Sequence, residues 1–238
     1  MTEINQLLIY LVLAFLPCLV WLFFFLSKDH QPEPKKVILK VFIAGMLATI
    51  PAILVQLGIQ PFLEDASEVV RYFLIVGISE EFFKYFAFRL TAQKSEYLDE
   101  PVDILVYMII ASLGFATAEN IILFFQVQFD LVQSIYLSII RFMSSFLHAL
   151  ASGVFAFFIA VSFYQTKKRH LLFGLGFILA VVIHGLFNFS IEYSTIDYKG
   201  DVVWAPTIVV IITLLTVCYI LLRQVFKKLN KVKAICKI

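Results

Sequence analysis

Seven stretches of 18 to 30 largely apolar residues follow one another along this chain, at 7–26, 37–57, 67–90, 104–126, 135–164, 171–191 and 205–222. About 20 such residues, wound as a helix, cross the hydrocarbon core of a bilayer. The pattern predicts an all-α, polytopic membrane protein of about seven transmembrane helices, forming one domain over residues 1–238. Composition agrees. Of the 238 residues 61% are hydrophobic and 15% are charged, against roughly 45–50% and ~25% in soluble domains. A water-soluble monomer could not cover that much apolar surface. Soluble enzymes, disordered chains and nucleic-acid modules are thereby excluded, and the net charge of +2 points to no acidic partner.

The sparse charges set an orientation. Lys28, Lys35 and Lys36 lie in the first connection, while the second has acids only, Glu64, Asp65 and Glu68. Arg89 and Lys94 mark the third, the fourth has no basic residue, and the fifth holds Lys167, Lys168 and Arg169. Lys199 stands alone in the sixth, and the tail at 223–238 is rich in lysine. Cytoplasmic connections carry the Lys and Arg excess, so this alternation predicts an outer N-terminus and a cytoplasmic C-terminus. The first flank, Met-Thr-Glu-Ile-Asn-Gln, lacks the positive charge of a cleavable signal, and the first span is expected to remain as an anchor. The tail reads either as a stop-transfer anchor or as a surface helix against anionic lipid. Cys18, Cys218 and Cys236 are too scattered for a disulfide framework or a Cys-ligated zinc.

Seven ionisable side chains fall deep inside the third to sixth stretches: Glu80, Glu81, Lys84, Glu119, Arg141, His148 and His184. The other charges lie in connections or near span ends, where Lys40 and Arg71 can snorkel. Each deep one costs roughly 2.5–3.5 kcal/mol or more at a helix centre, which makes a functional site the default reading. Helical spacing groups them further. Glu80 and Lys84 share a face, as do Arg141 and His148, and His184 and Asn188. Asn120 adjoins Glu119. At a rise of about 1.5 Å per residue, Glu80, Glu119, His148 and His184 reach depths from which all meet between the midplane and the outer leaflet. Arg141 suits either this cluster or snorkelling to the outer interface. Ser144, Ser145 and Ser152 read as packing residues bonded to backbone.

Two chemistries use these parts. A glutamate steadied by Lys84 can take a proton from water, while a histidine and an asparagine amide can donate to an oxyanion. Alternatively, Glu119, His148 and His184 can ligate zinc, leaving Glu80 or Glu81 as general base. No H-E-x-x-H motif is present, and the metal-free chemistry is the first expectation. A proton- or ion-coupled transporter remains an alternative, because intramembrane carboxylates and histidines also build relays, although no paired repeat is visible.

The string Glu80-Glu81-Phe82-Phe83-Lys84 resembles the E-E-x-x-K motif of the PrsW intramembrane proteases. Phe115-Ala-Thr-Ala-Glu119-Asn120 resembles their F-x-x-x-E-N motif. His148-Ala149-Leu150, after Arg141, and His184-Gly185-Leu186-Phe187-Asn188 are similar to the third and fourth motifs. The resemblance spans about residues 70–189 and extends more distantly to the CAAX prenyl proteases and bacteriocin-processing enzymes. It implies an intramembrane endopeptidase of a bacterial plasma membrane that makes the first, outer cut in a single-span protein such as an anti-sigma factor. One of Glu80 and Glu81 would activate water, and His184 with Asn188 would stabilise the oxyanion. Glu119 stands where the CAAX enzymes carry histidine, a place that His148 can fill. Lys84, Arg141 and Asn120 would support. No cofactor is expected, with zinc the alternative, and membrane lipid is the expected surroundings.

Overall fold

The structure is a computed structural model and describes residues 3–63, 65–126, 131–195 and 204–229. Among these residues it is all-α. The helices are α1 (Glu3–Leu26), α2 (Lys35–Ile59), α3 (Ile78–Thr91), α4 (Pro101–Gln126), α5 (Leu131–Tyr164), α6 (Arg169–Thr195) and α7 (Trp204–Leu229). Six of the seven expected stretches fall within single α-helices. The third, at 67–90, is composite: Val70–Gly77 is wound as a π-helix and runs directly into α3. Such wide turns are rare and tend to occur at functional sites.

Five helices among the described residues are long and apolar enough to cross a membrane, at Leu7–Leu26, Lys35–Phe62, Pro101–Gln126, Leu137–Tyr164 and Thr166–Ile191. The composite third element is not among them, because Glu80, Glu81, Lys84 and Arg89 crowd its second half. Helix α7 carries no Asp, Glu, Lys or Arg over 205–222, before Arg223, Lys227 and Lys228. The chain beyond residue 229, with the rest of the basic tail, lies outside the described residues, as do Glu64 and Lys199. Large apolar side chains face outward on several helices, among them Leu47, Leu54, Leu74 and Ile178. An apolar exterior on this scale requires lipid around it. The protein is a multi-pass membrane protein.

Helix α4 is the centre of the bundle. Every residue from Pro101 to Thr117 is buried, as expected of a helix that is apolar all round, and α1, α2 and α5 pack about it. Two glycines bring α2 and α4 into backbone contact. A Cβ on Gly45 would lie 2.0 Å from the Ala111 carbonyl oxygen, and one on Gly114 would lie 2.1 Å from that of Phe42. Close approach through small residues is the usual way to pack helices where lipid removes the hydrophobic drive between them.

The start of α4 is tied to both neighbouring connections. Asp103 Oδ2 accepts the backbone N–H groups of Asp99, at 2.9 Å, and Glu100, at 2.6 Å. An acid in the first turn thus satisfies donors that the helix leaves open. Gln31 donates to Glu100 at 2.6 Å, and the Tyr107 hydroxyl donates to Glu33. Asp29, Glu33, Glu100 and Asp103 are all buried. Asp29, Glu33 and Glu100 lie in connections, as their sequence positions imply, but they are packed away from the surface. Burial pushes the Asp29 and Glu33 carboxyls above their ordinary range, and in Glu33 the neighbouring Asp29 and Asp99 charges add to the rise.

Candidate active site

Four elements converge on Lys84. The first turns of α3 carry Glu80, Glu81 and Lys84; α4 brings Phe115, α5 brings His148 and Ser152, and α6 brings His184. Lys84 and Glu81 are fully enclosed, and Glu80, His148 and His184 are at most 4% exposed. Lys84 Nζ donates to Glu81 Oε1 at 2.8 Å and lies 3.4 Å from Glu80 Oε2. It also stands 2.8 Å from His148 Nδ1 and 3.5 Å from His184 Nδ1, and 4.8 Å above the Phe115 ring. The i, i+3 and i, i+4 spacing of the E-E-x-x-K string makes this possible, since both glutamates then share a helix face with the lysine.

These contacts fix the imidazoles. An ammonium only donates, so His148 Nδ1 accepts and its Nε2–H points to Glu119 Oε2, 3.1 Å away. His184 Nδ1 lies 2.9 Å from Glu81 Oε1. A carboxylate only accepts, so His184 donates there and keeps its Nε2 lone pair, 3.5 Å from Glu80 Oε2. The two rings stand edge to face at 4.9 Å.

The paired glutamates differ sharply in their surroundings. Glu81 is held by Lys84 and His184 on Oε1, and by the Ser152 hydroxyl on Oε2 at 3.1 Å. Glu80 instead reaches a cavity of about 310 Å³, whose wall also includes Gln56, Phe115, Glu119, Gln126 and Arg141. Arg141 is turned toward the cluster. Its guanidinium donates to Glu119 Oε2 at 3.3 Å and to the Asn120 side-chain Oδ1. Asn120 in turn donates to the Ala14 carbonyl at 3.0 Å, fastening α4 to α1.

Sequence reasoning thus anticipates the company of Glu80, Glu81, Lys84, Glu119, Asn120, Arg141, His148 and His184. Asn188 is half-buried one turn beyond His184 and bonds none of them. Ser152, expected to bond backbone, bonds Glu81; Ser145 does bond backbone, at the Arg141 carbonyl. Gln56 was not anticipated. It lies on α2, which has no ionisable residue at that depth, and it donates to Ser79 at 3.0 Å beside Glu80.

Two imidazoles and a carboxylate are the donor types of a catalytic zinc; to hold one here, Lys84 would have to give up His148 Nδ1, which its ammonium occupies at 2.8 Å. Glu80, His148 and His184 each offer a ligand atom within 4.8 Å of the others. The sequence-based ligand set has Glu119 in place of Glu80; Glu119 Oε2 lies 3.1 Å from His148 Nε2 and 3.3 Å from Arg141.

Residues 33–220 match the family described as PrsW family intramembrane metalloprotease. The chain is 30% identical over 169 residues to Protease PrsW of Geobacillus kaustophilus, covering 70% of this chain and 72% of that one. It is 29% identical over 176 residues to Protease PrsW of Oceanobacillus iheyensis, with 74% and 80% covered. Against Protease PrsW of Bacillus subtilis it is 25% identical over 170 residues, with 70% and 75% covered. No solved structure matches the chain. The matched region holds the whole Lys84-centred cluster, and the chain belongs to the PrsW family of intramembrane proteases.

Proposed function

We propose that the protein is an endopeptidase of the bacterial plasma membrane with seven spans and an outer N-terminus. It cuts a single-span membrane protein, such as an anti-sigma factor, near the outer face with water activated by Glu80. The observation that carries this reading is the asymmetry of the glutamate pair. Glu80 faces the cavity, while both oxygens of Glu81 are engaged. A general base must reach the water it deprotonates. Glu81 then serves as the anchor that orients Lys84 and His184, and the His184 Nε2 lone pair accepts the second hydrogen of that water. Arg141, on the same wall, supplies donors for the oxyanion. The oxyanion role of Asn188 rests on the motif resemblance alone. Alternating loop charge supports the orientation. The proteolytic relatives favour hydrolysis over transport.

A second reading is favoured by the donor set. Zinc held by Glu80, His148 and His184 would lower the pKa of its bound water and polarise the scissile carbonyl. Glu119 then remains as the cavity-facing carboxylate that holds a proton.

Cleavage of a single-span substrate by the purified protein in detergent tests both. Glu80→Gln is expected to abolish cleavage with folding intact, and wild-type cleavage is expected to survive chelation. Stoichiometric zinc lost together with activity would establish the second reading instead. Wild-type rates in Glu80→Gln and in His184→Ala would sink both.

A further inference from the structure

At the end of α4 remote from Glu119, three carboxylates from two parts of the chain meet. Asp29 and Glu33 come from the connection between α1 and α2, and Asp103 from the first turn of α4. All three are buried, and each offers one oxygen within 4.8 Å of the other two. Asp29 is 7% exposed. Its Oδ1 accepts the Gln31 N–H at 3.0 Å, whereas its Oδ2 is buried and has no hydrogen-bond partner.

Polar groups at this depth are normally satisfied, and several neighbouring donors are committed elsewhere in the cluster. Tyr107 gives its hydroxyl hydrogen to Glu33, and the Asp99 and Glu100 N–H groups go to Asp103 Oδ2. The ion pairs of Arg71, Lys84 and Arg141 involve none of these acids. Carboxylates this close repel strongly away from water. An all-oxygen donor set with no imidazole or thiolate suits a hard cation rather than zinc or copper.

We propose that Asp29, Glu33 and Asp103 bind one hard divalent cation of the Mg²⁺ and Ca²⁺ class, with Asp29 Oδ2 as a ligand. The ion fastens the α1–α2 connection to the start of α4. It is distinct from the imidazole-containing cluster, lying at the opposite end of that helix about 16 residues, or roughly 24 Å, from Glu119.

Mn²⁺ is a suitable probe, because it takes the same oxygen ligands and its free form is read by electron paramagnetic resonance. With the full-length protein in detergent, one saturable Mn²⁺ per chain is expected, displaced by Mg²⁺ or Ca²⁺ and retained in His184→Ala. Asp29→Asn and Glu33→Gln should each weaken it at least tenfold. Absence of saturable binding overturns the proposal, and so does binding that vanishes in His184→Ala but persists in Asp29→Asn. If either acid variant fails to fold, wild-type thermal unfolding decides. Its midpoint should rise with Mg²⁺ or Ca²⁺ beyond the effect of NaCl at equal ionic strength, and no rise means that shared protons hold the carboxylates.

Discussion

Around Lys84, two glutamates and two histidines share one ammonium, and the guanidinium of Arg141 stands against a third carboxylate. At the start of α4, three buried carboxylates gather away from the ion pairs of Lys84 and Arg141. Both groups are buried in the same bundle and touch the same central helix. The first sets cations of the chain against its carboxylates, so its geometry is set by side chains that hold one another. The second depends on something added, a proton or a cation. Deleting a charge should therefore have opposite consequences in the two places.

The largest effect is expected for Lys84→Met. It leaves Glu81 enclosed beside His184 with no ammonium, and removing one partner of a buried pair costs about 3–5 kcal/mol. Thermal unfolding in detergent measures the loss, and Glu81→Gln with Lys84→Met should recover part of it. An additive double variant would mean that the pair is not coupled. Ser152→Ala comes next. It strips Glu81 Oε2 of its donor, at about 1–3 kcal/mol for a buried acceptor left unsatisfied. Wild-type stability there would mean that water replaces the hydroxyl. The smallest and sharpest change is Glu33→Gln in chelator, expected to be neutral or stabilising by up to about 1 kcal/mol, because it relieves repulsion among like charges. Added Mg²⁺ should reverse the ranking in favour of wild type, since only an intact site gains from mass action. A clear loss of stability in chelator would erase the contrast between the clusters.

Much of this was readable from residue order because both signals are local. Apolar runs announce helices, and a costly charge inside such a run announces a shared polar site. The edges of α2, α5 and α6 lie within four residues of the expected stretches. What could not be read needed the third dimension. Glu80 and Glu81 are chemically identical neighbours, and only packing decides that one faces the cavity while Ser152 and His184 enclose the other. Asp29 and Asp103 are 74 residues apart, each beside a connection, where a carboxylate ordinarily meets water. Nothing in their local sequence signals burial. Gln56 escaped for a related reason: an uncharged amide carries no insertion penalty large enough to stand out.

The π-helical stretch before α3 has a consequence for phase. Neighbouring positions on an α-helix point about 100° apart, so which glutamate looks into the cavity depends on how many residues are wound into the turns that precede it. Val70–Gly77 packs extra chain into those turns. Losing one residue there would let the segment wind as ordinary α-helix and rotate α3 relative to its approach. The wide turn thus works like an offset between two gears, keeping Glu81 meshed with its partners and Glu80 facing the cavity.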